Sequence, residues 1–262
     1  MKKLHFAIIF LFLLFPSQIF TQISITMTPP RMEFYLDGKK KVQEAFELEN
    51  KGYQPVYLKV YVTGFSVEEN GTLLFSTKQN SAEQWIKVSP GELTIKPHDF
   101  AIVRYEVKLP DGTPQGSYTA SVMVEELLPP EQSAKKTQFI LKGRLAHIVY
   151  VNVGKPEYKC QLESFKTERK EDKLVFSLSL KNEGDFSFRT QGNIKIQSGT
   201  EKKIKEIALP NVPVLRNSRR IIEVSAPSTD LPAGMYSAAL SLDIGAKSPV
   251  QALSEFSITG TN

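Results

Sequence analysis

Two stretches of the chain repeat one pattern that few architectures accommodate. Residues 109–124 read LPDGTPQGSYTASVMV, and residues 231–242 read LPAGMYSAALSL. Each runs Leu-Pro, then Gly-x-Tyr, a small residue, and alternating apolar positions. Alternation with a period of two marks a strand with one buried face. A Tyr at the head of such a strand, just after a glycine turn, is placed to reach back to the preceding turn as a tyrosine corner. Two copies in 262 residues predict two tandem β-sandwiches of roughly 100–130 residues each.

The rest of the chain agrees. No segment sustains a 3.6-residue period; short alternating runs are separated by Gly, Pro and Asn. Strands are expected at 23–27, 31–36, 42–49, 56–62, 65–67, 72–75, 85–88, 92–95, 100–109 and 117–127, with a long last strand or a strand pair at 137–153. The break Gly154-Lys155-Pro156 is the linker candidate, since a proline removes a ladder donor. Beyond it strands are expected at 159–165, 174–180, 186–197 (with a bulge at Gly192), 204–208, 219–224, 235–244 and 250–258. FELENKG (46–52) matches SLSLKNEG (177–184), and LTIKPHDFAIVRYEV (93–107) matches PVLRNSRRIIEV (213–224). Asn50 lies 68 positions before Tyr118, whereas Asn182 lies 54 before Tyr236. The first copy therefore carries 14 additional residues, which fall around Glu69-Asn70-Gly71 and 76–84. Asn-Gly predicts a tight hairpin turn there. That role also accounts for Asn70-Gly71-Thr72, which matches a glycosylation sequon. The fold class is all-β: two tandem immunoglobulin-like β-sandwiches, residues 23–153 and 154–262.

Residues 1–22 stand apart. Lys2 and Lys3 precede an apolar run from Phe6 to Phe15, too short to span a bilayer, so a secretory signal peptide cleaved near residues 20–22 is expected. No Cys sits there to carry a lipid anchor. The formal net charge is +5, and removal of two lysines with the leader leaves +3, too mild and too evenly spread for nucleic-acid binding. Lys39, Lys40 and Lys41 follow Asp37-Gly38 and are expected in a turn as solvated edge charges; Lys202, Lys203 and Lys205 are read alike. The single cysteine, Cys160, precludes an internal disulfide, and as part of an apparent strand it is expected to be a small buried residue.

Catalytic chemistry needs converging groups, and none assemble. Of three histidines, His5 lies in the leader, His98 in an exposed turn, and His147 within a strand as a packed or half-exposed ring. Two His and one Cys without tight spacing make no zinc site. No nucleophile elbow, phosphate-cradling glycine loop or acidic calcium loop occurs. A non-enzymatic chain without cofactor or metal is the expectation.

The order of motifs in the first half carries a resemblance. Pro29-Pro30-Arg31-Met32-Glu33-Phe34 is followed by an Asn-ended strand, then WIKVSPGELTIKP (85–97), a basic strand around Arg104, VMVEELLPP (122–130), and Phe139-Ile140-Leu141-Lys142-Gly143-Arg144-Leu145. This resembles the first domain of PapD-like periplasmic pilus-assembly chaperones, over roughly residues 23–153. The second half fits that family's two-sandwich boomerang in position only.

The resemblance implies a periplasmic chaperone that lends its last first-domain strand to an incomplete pilus or surface-fibre subunit, by strand addition. It implies pilin-like subunits as partners, with an outer-membrane usher as a further one, and no transmembrane segment after signal cleavage. Phe139 and Leu141 match the family's outward apolar positions, the alternative being that they fill the domain's own core. Arg31 matches one of two basic residues that hold the subunit's C-terminal carboxylate; the alternative is a surface arginine paired with Glu33 or solvent. A guanidinium suits that role because it offers paired donors in a planar fork. The second basic residue would fall at position 146, which is Ala146. Arg144 and Lys142 are the nearby substitutes, although alternation puts 142, 144 and 146 on one side at different heights. Residues 114–118, PQGSY, also depart from the family's Asp-Arg-Glu-Ser pattern. Another reading remains open: a secreted structural or adhesive tandem sandwich that binds a cell-surface component.

Overall fold

The computed structural model describes residues 25–127, 143–198, 205–229 and 231–259. The first domain builds β1 (Ile25–Thr28), β2 (Arg31–Leu36), β3 (Lys41–Asn50), β4 (Val56–Thr63), β5 (Phe65–Val67), β6 (Leu73–Phe75), β7 (Ile86–Ser89), β8 (Glu92–Ile95), β9 (Phe100–Lys108), β10 (Gly116–Leu127) and β11 (Arg144–Val153). They form a sheet ordered β1-β3-β9-β7 packed on a sheet ordered β2-β11-β10-β4-β8, with β5 and β6 as a separate hairpin. The strand pattern explains the packing. In β3, Phe46, Leu48 and Asn50 point inward while Glu47 and Glu49 do not. Phe46, Leu48, Val103, Val107, Val122, Val149 and Val151 are the fully buried centre. Each such side chain contributes about 1.5–3 kcal/mol through removal from water.

The second domain repeats the plan with β12 (Cys160–Lys170), β13 (Lys173–Asn182), β14 (Phe188–Arg189), β15 (Gln191–Ser198), β16 (Lys205–Ala208), β17 (Pro213–Val214), β18 (Arg219–Pro227), β19 (Gly234–Asp243) and β20 (Val250–Ile258). Its sheets are β12-β13-β18 and β16-β15-β19-β20, with β14 paired to β17. Its core is separate, centred on Leu174, Phe176, Leu178, Leu180, Ile194, Ile196 and Leu242.

The internal repeat is structural down to single hydrogen bonds. Tyr118 donates its hydroxyl to the Pro114 carbonyl at 2.9 Å and Tyr236 to the Pro232 carbonyl at 2.7 Å, so both are tyrosine corners. Asn50 and Asn182 are fully buried hubs. Asn50 Nδ2 donates to the carbonyls of Gln54, Ile95 and Lys96, and its Oδ1 accepts the Gly52 amide. Asn182 Nδ2 donates to the carbonyls of Phe186 and Val214, and its Oδ1 accepts the Gly184 amide. Their backbone amides reach the Asp99 and Ser218 carbonyls. Each hub thus ties a strand-end turn to the turn of a neighbouring hairpin.

Several expectations change in detail. The run 186–197 is two strands, because buried Thr190 turns aside to bond Pro210 and Val212. The bulge expected at Gly192 is absent, since the register with β19 runs unbroken through Gly192 opposite Leu242; the glycine instead serves close strand approach, with φ +143 and a Cβ there 2.0 Å from the Ser241 carbonyl. Lys41 is in β3, paired with Glu106, rather than in the turn. Cys160, expected to be buried, is only half-buried because it opens β12 at the margin of the core; its burial still pushes the thiol up to about 11. In the segment 137–153, the described strand begins at Arg144.

The two domains meet through the additional residues of the first. The β5–β6 hairpin turns at Glu68–Thr72, with Gly71 at φ +98. Its tip reaches the second domain: the Ile221 amide donates to the Glu69 carbonyl at 2.7 Å, and Arg220 Nη1 donates to the same carbonyl at 3.0 Å. Behind the hairpin, Phe65, Tyr150 and Leu215 form a small core of their own, flanked by Val67, Phe75 and Ile148. A second joint lies at the head of β10. There Ser117 donates its amide to the Asp185 carbonyl, and its Oγ accepts the Ser187 amide. Arg216 sits over the Tyr118 ring at 5.4 Å and pairs with Asp185 at 2.7 Å. Gly116 permits this approach, since a Cβ there would lie 2.7 Å from the Asp185 carbonyl.

Candidate functional site

Among the described residues, part of one strand edge of the first domain is unpaired. The chain enters through β1 in the first sheet, passes Pro29-Pro30, and continues as β2 in the second sheet. There β2 runs parallel to β11, but only from Ile148 to Val153, with Ile148 opposite Arg31. On its other side β11 pairs with β10 along its whole length, from Arg144 to Val153. Arg144 to His147 therefore have a neighbour on one side and, among the described residues, no strand on the other. The Ile148 amide donates to the Pro30 carbonyl at 3.0 Å. Backbone groups in a strand alternate in direction, so those of Ala146 and Arg144 face the same, unpaired edge.

The floor of this edge is fixed by His147, a fully buried ring. It stacks on Phe46, with ring centroids 4.6 Å apart and planes 19° apart. Its Nδ1 lies 2.8 Å from the Pro29 carbonyl and its Nε2 3.0 Å from the Tyr105 hydroxyl. A carbonyl can only accept, so Nδ1 carries the proton and donates to Pro29; Nε2 accepts from Tyr105. Burial lowers the imidazole pKa, and the Pro29 carbonyl opposes this. The ring is neutral and satisfied, and it pins the crossover that delivers Arg31.

Arg31 is exposed at the head of β2. The expected alternative partner, Glu33, is engaged elsewhere: its Oε1 accepts from the Tyr35 hydroxyl at 2.9 Å and from Asn152 Nδ2 at 3.0 Å. Arg31 makes no hydrogen bond or ion pair among the described residues. The second domain supplies a cation that sequence reasoning missed, Arg189 in β14. Burial raises the Tyr150 phenol, while the charge of Arg189 and a hydrogen bond from it, and then the charge of Arg31, oppose that rise. Asn211 holds Arg189 through Nε at 2.5 Å and Nη2 at 2.8 Å. Ala146 offers no charge, and Arg144, exposed at the start of β11, shares its side of the strand. No sequence signal marks Arg189, because its place depends on how the domains dock. Phe139, Leu141 and Lys142 lie outside the described residues. No group of three or more metal-ligating side chains occurs among the described residues.

No protein-family model matches the chain, and no curated protein matches it. Solved structures similar to it include three chaperones. The YadV chaperone is 12% identical, with 89% of this chain and 100% of that chain covered and a TM-score of 0.46. The Salmonella enterica SafB chaperone, solved with the SafA pilin, is 9% identical over 90% of this chain and 97% of that one, with a TM-score of 0.44. The Acinetobacter baumannii CsuC–CsuE chaperone and tip adhesion subunit complex gives 14% identity over 88% and 97%, with a TM-score of 0.44.

Proposed function

We propose that the chain is a divergent PapD-like periplasmic chaperone that binds pilus or surface-fibre subunits by adding part of β11 to an incomplete subunit sandwich. The observation that carries this reading is the unpaired edge of β11, Arg144 to His147, beside an uncommitted Arg31. An open edge is a template for another strand. Main-chain hydrogen bonds supply affinity there, and the alternating side chains supply register. Arg31 takes the subunit's C-terminal carboxylate. The second positive charge comes from Arg189 of the second domain instead of from position 146. Phe139 and Leu141 extend the apolar contact, and Lys142 and Arg144 contribute charge at the edge.

A charge-assisted hydrogen bond contributes about 1.5–3 kcal/mol, so Arg31→Ala should weaken the complex by roughly one to two orders of magnitude. The test is export of the chain together with a pilin-like subunit, followed by co-purification. Recovery of the complex should fall sharply with Arg31→Ala and more sharply with Arg31→Ala/Arg189→Ala. Undiminished recovery of both would remove the charge anchor. A wild-type chain that recovers no subunit would favour the structural or adhesive reading.

A further inference from the structure

The joint between the two domains shows how one sandwich docks on another. The turn held by the Asn182 hub, carrying Asp185, Ser187 and Arg216, sits on the head of β10 at Gly116-Ser117. By the internal repeat, each domain owns one such hub corner and one such strand head. The second domain's corner and the first domain's strand head are used against each other. The two that remain lie at opposite ends of the molecule: the Asn50 corner on the first domain and the head of β19 at Gly234-Met235 on the second.

Both unused surfaces are apolar where the used ones are polar. The Asn50 corner presents Tyr53, 84% exposed, in edge contact with the His98 ring at 5.0 Å, and Phe100, 58% exposed. The equivalent positions around Asn182 are Asp185, Asn217 and Arg219. His98 and Asn217 share the left-handed backbone of their turns, with φ +57 and +52. At the other end, Met235 replaces Ser117 and is 66% exposed. Among the described residues, a Cβ on Gly234 would meet only the Tyr236 ring, so none of them blocks there the approach that Gly116 permits in the joint. Exposed aromatics of this kind are typical of contact anchors, and a thioether packs favourably on ring edges.

We propose that a second copy of this chain docks its Gly234-Met235 strand head on the Asn50 corner, Met235 packing against Tyr53, His98 and Phe100. The contact is heterologous, so it continues head to tail unless the rotation closes a ring. It lacks the linker that holds the internal joint together, so it forms as a weak, concentration-dependent association.

Sedimentation velocity of the chain over a rising concentration series tests this. The weight-average mass should increase, and Tyr53→Ser/Phe100→Ser and Met235→Ser should each lower the association constant at least about tenfold. Circular dichroism should be unchanged, since all three side chains are exposed. Mixing the two variants should restore a dimer, because each retains the face that the other lacks. Three results would overturn the proposal: a monomer at every concentration, association indifferent to both variants, or a mixture that stays monomeric, which means a self-complementary contact instead.

Discussion

Asn50 is the most telling single substitution for the architecture. Its amide carries two hydrogens shared among three carbonyls, at 2.8 Å to Gln54 and 3.1 Å to Ile95 and Lys96, and its oxygen takes the Gly52 amide at 2.9 Å. Replacement by alanine removes three bonds' worth of pairing, about 1 kcal/mol each, and strands the Gly52 amide at a further cost of about 1 kcal/mol or more. A loss of about 3–5 kcal/mol follows. At about 4 °C per kcal/mol for a domain of this size, the first domain's Tm should fall by roughly 12–20 °C. Asn182→Ala removes the matching bonds at 2.9 and 3.2 Å and the Gly184 contact at 2.9 Å. It should therefore destabilise the second domain by a similar amount. Differential scanning calorimetry with urea titration reads both. A loss below about 1 kcal/mol in either variant would refute the hub assignment, because pairing to water would then replace the buried bonds at no cost.

Other consequences follow from the same structure. Burial lowers the His147 pKa, so between the ordinary value near 6.5 and that lowered value the unfolded chain binds the proton and the folded one does not. The neutral ring's contribution is whole above pH 6.5 and is lost as pH falls below it; the urea midpoint should drop more from pH 7 to 5 in the wild type than in His147→Phe. Arg220→Ala removes the hairpin's side-chain contact with the second domain and leaves the Ile221 amide bond, and small-angle scattering should show a broader distribution of interdomain distances with both sandwiches still folded. The Cys160 thiol, pushed up to about 11, should react with a thiol reagent at pH 8 at least about tenfold more slowly than an ordinary cysteine, the roughly hundredfold loss of thiolate being partly offset by its greater nucleophilicity, and unfolding should restore the normal rate.

Much of the architecture was legible in the sequence because it is local. Tyr118 and Tyr236 reach carbonyls four residues back, so the corner motif contains its own partner. Asn50 and Asn182 were visible as strand-end residues before Asn-x-Gly turns, though not as hubs, since beside a carbonyl four residues on each holds others from a turn far along the chain. Asn70-Gly71 gave the hairpin, but nothing local said that its tip would meet Arg220, more than a hundred residues away. The split at Thr190 escaped notice because an alternating apolar pattern cannot distinguish one strand from two that change partners. The site divides the same way. Arg31 was visible from the Pro-Pro-Arg order, whereas Arg189 and the buried His147 depend on contacts between distant strands. Ala146 was read as a missing charge, and the charge proposed to replace it lies on the other domain.

The central claim is that β11 keeps an edge open between Arg144 and His147 for a partner's strand. Amide hydrogen exchange at Ala146, with Ile148 as the internal reference, tests it most directly. Ile148, bonded to Pro30, should exchange slowly in the free chain and in the complex. Ala146 should exchange quickly in the free chain and become protected when a pilin-like subunit is bound. An Ala146 amide already protected in the free chain, or one still exchanging quickly in the complex, would contradict the account.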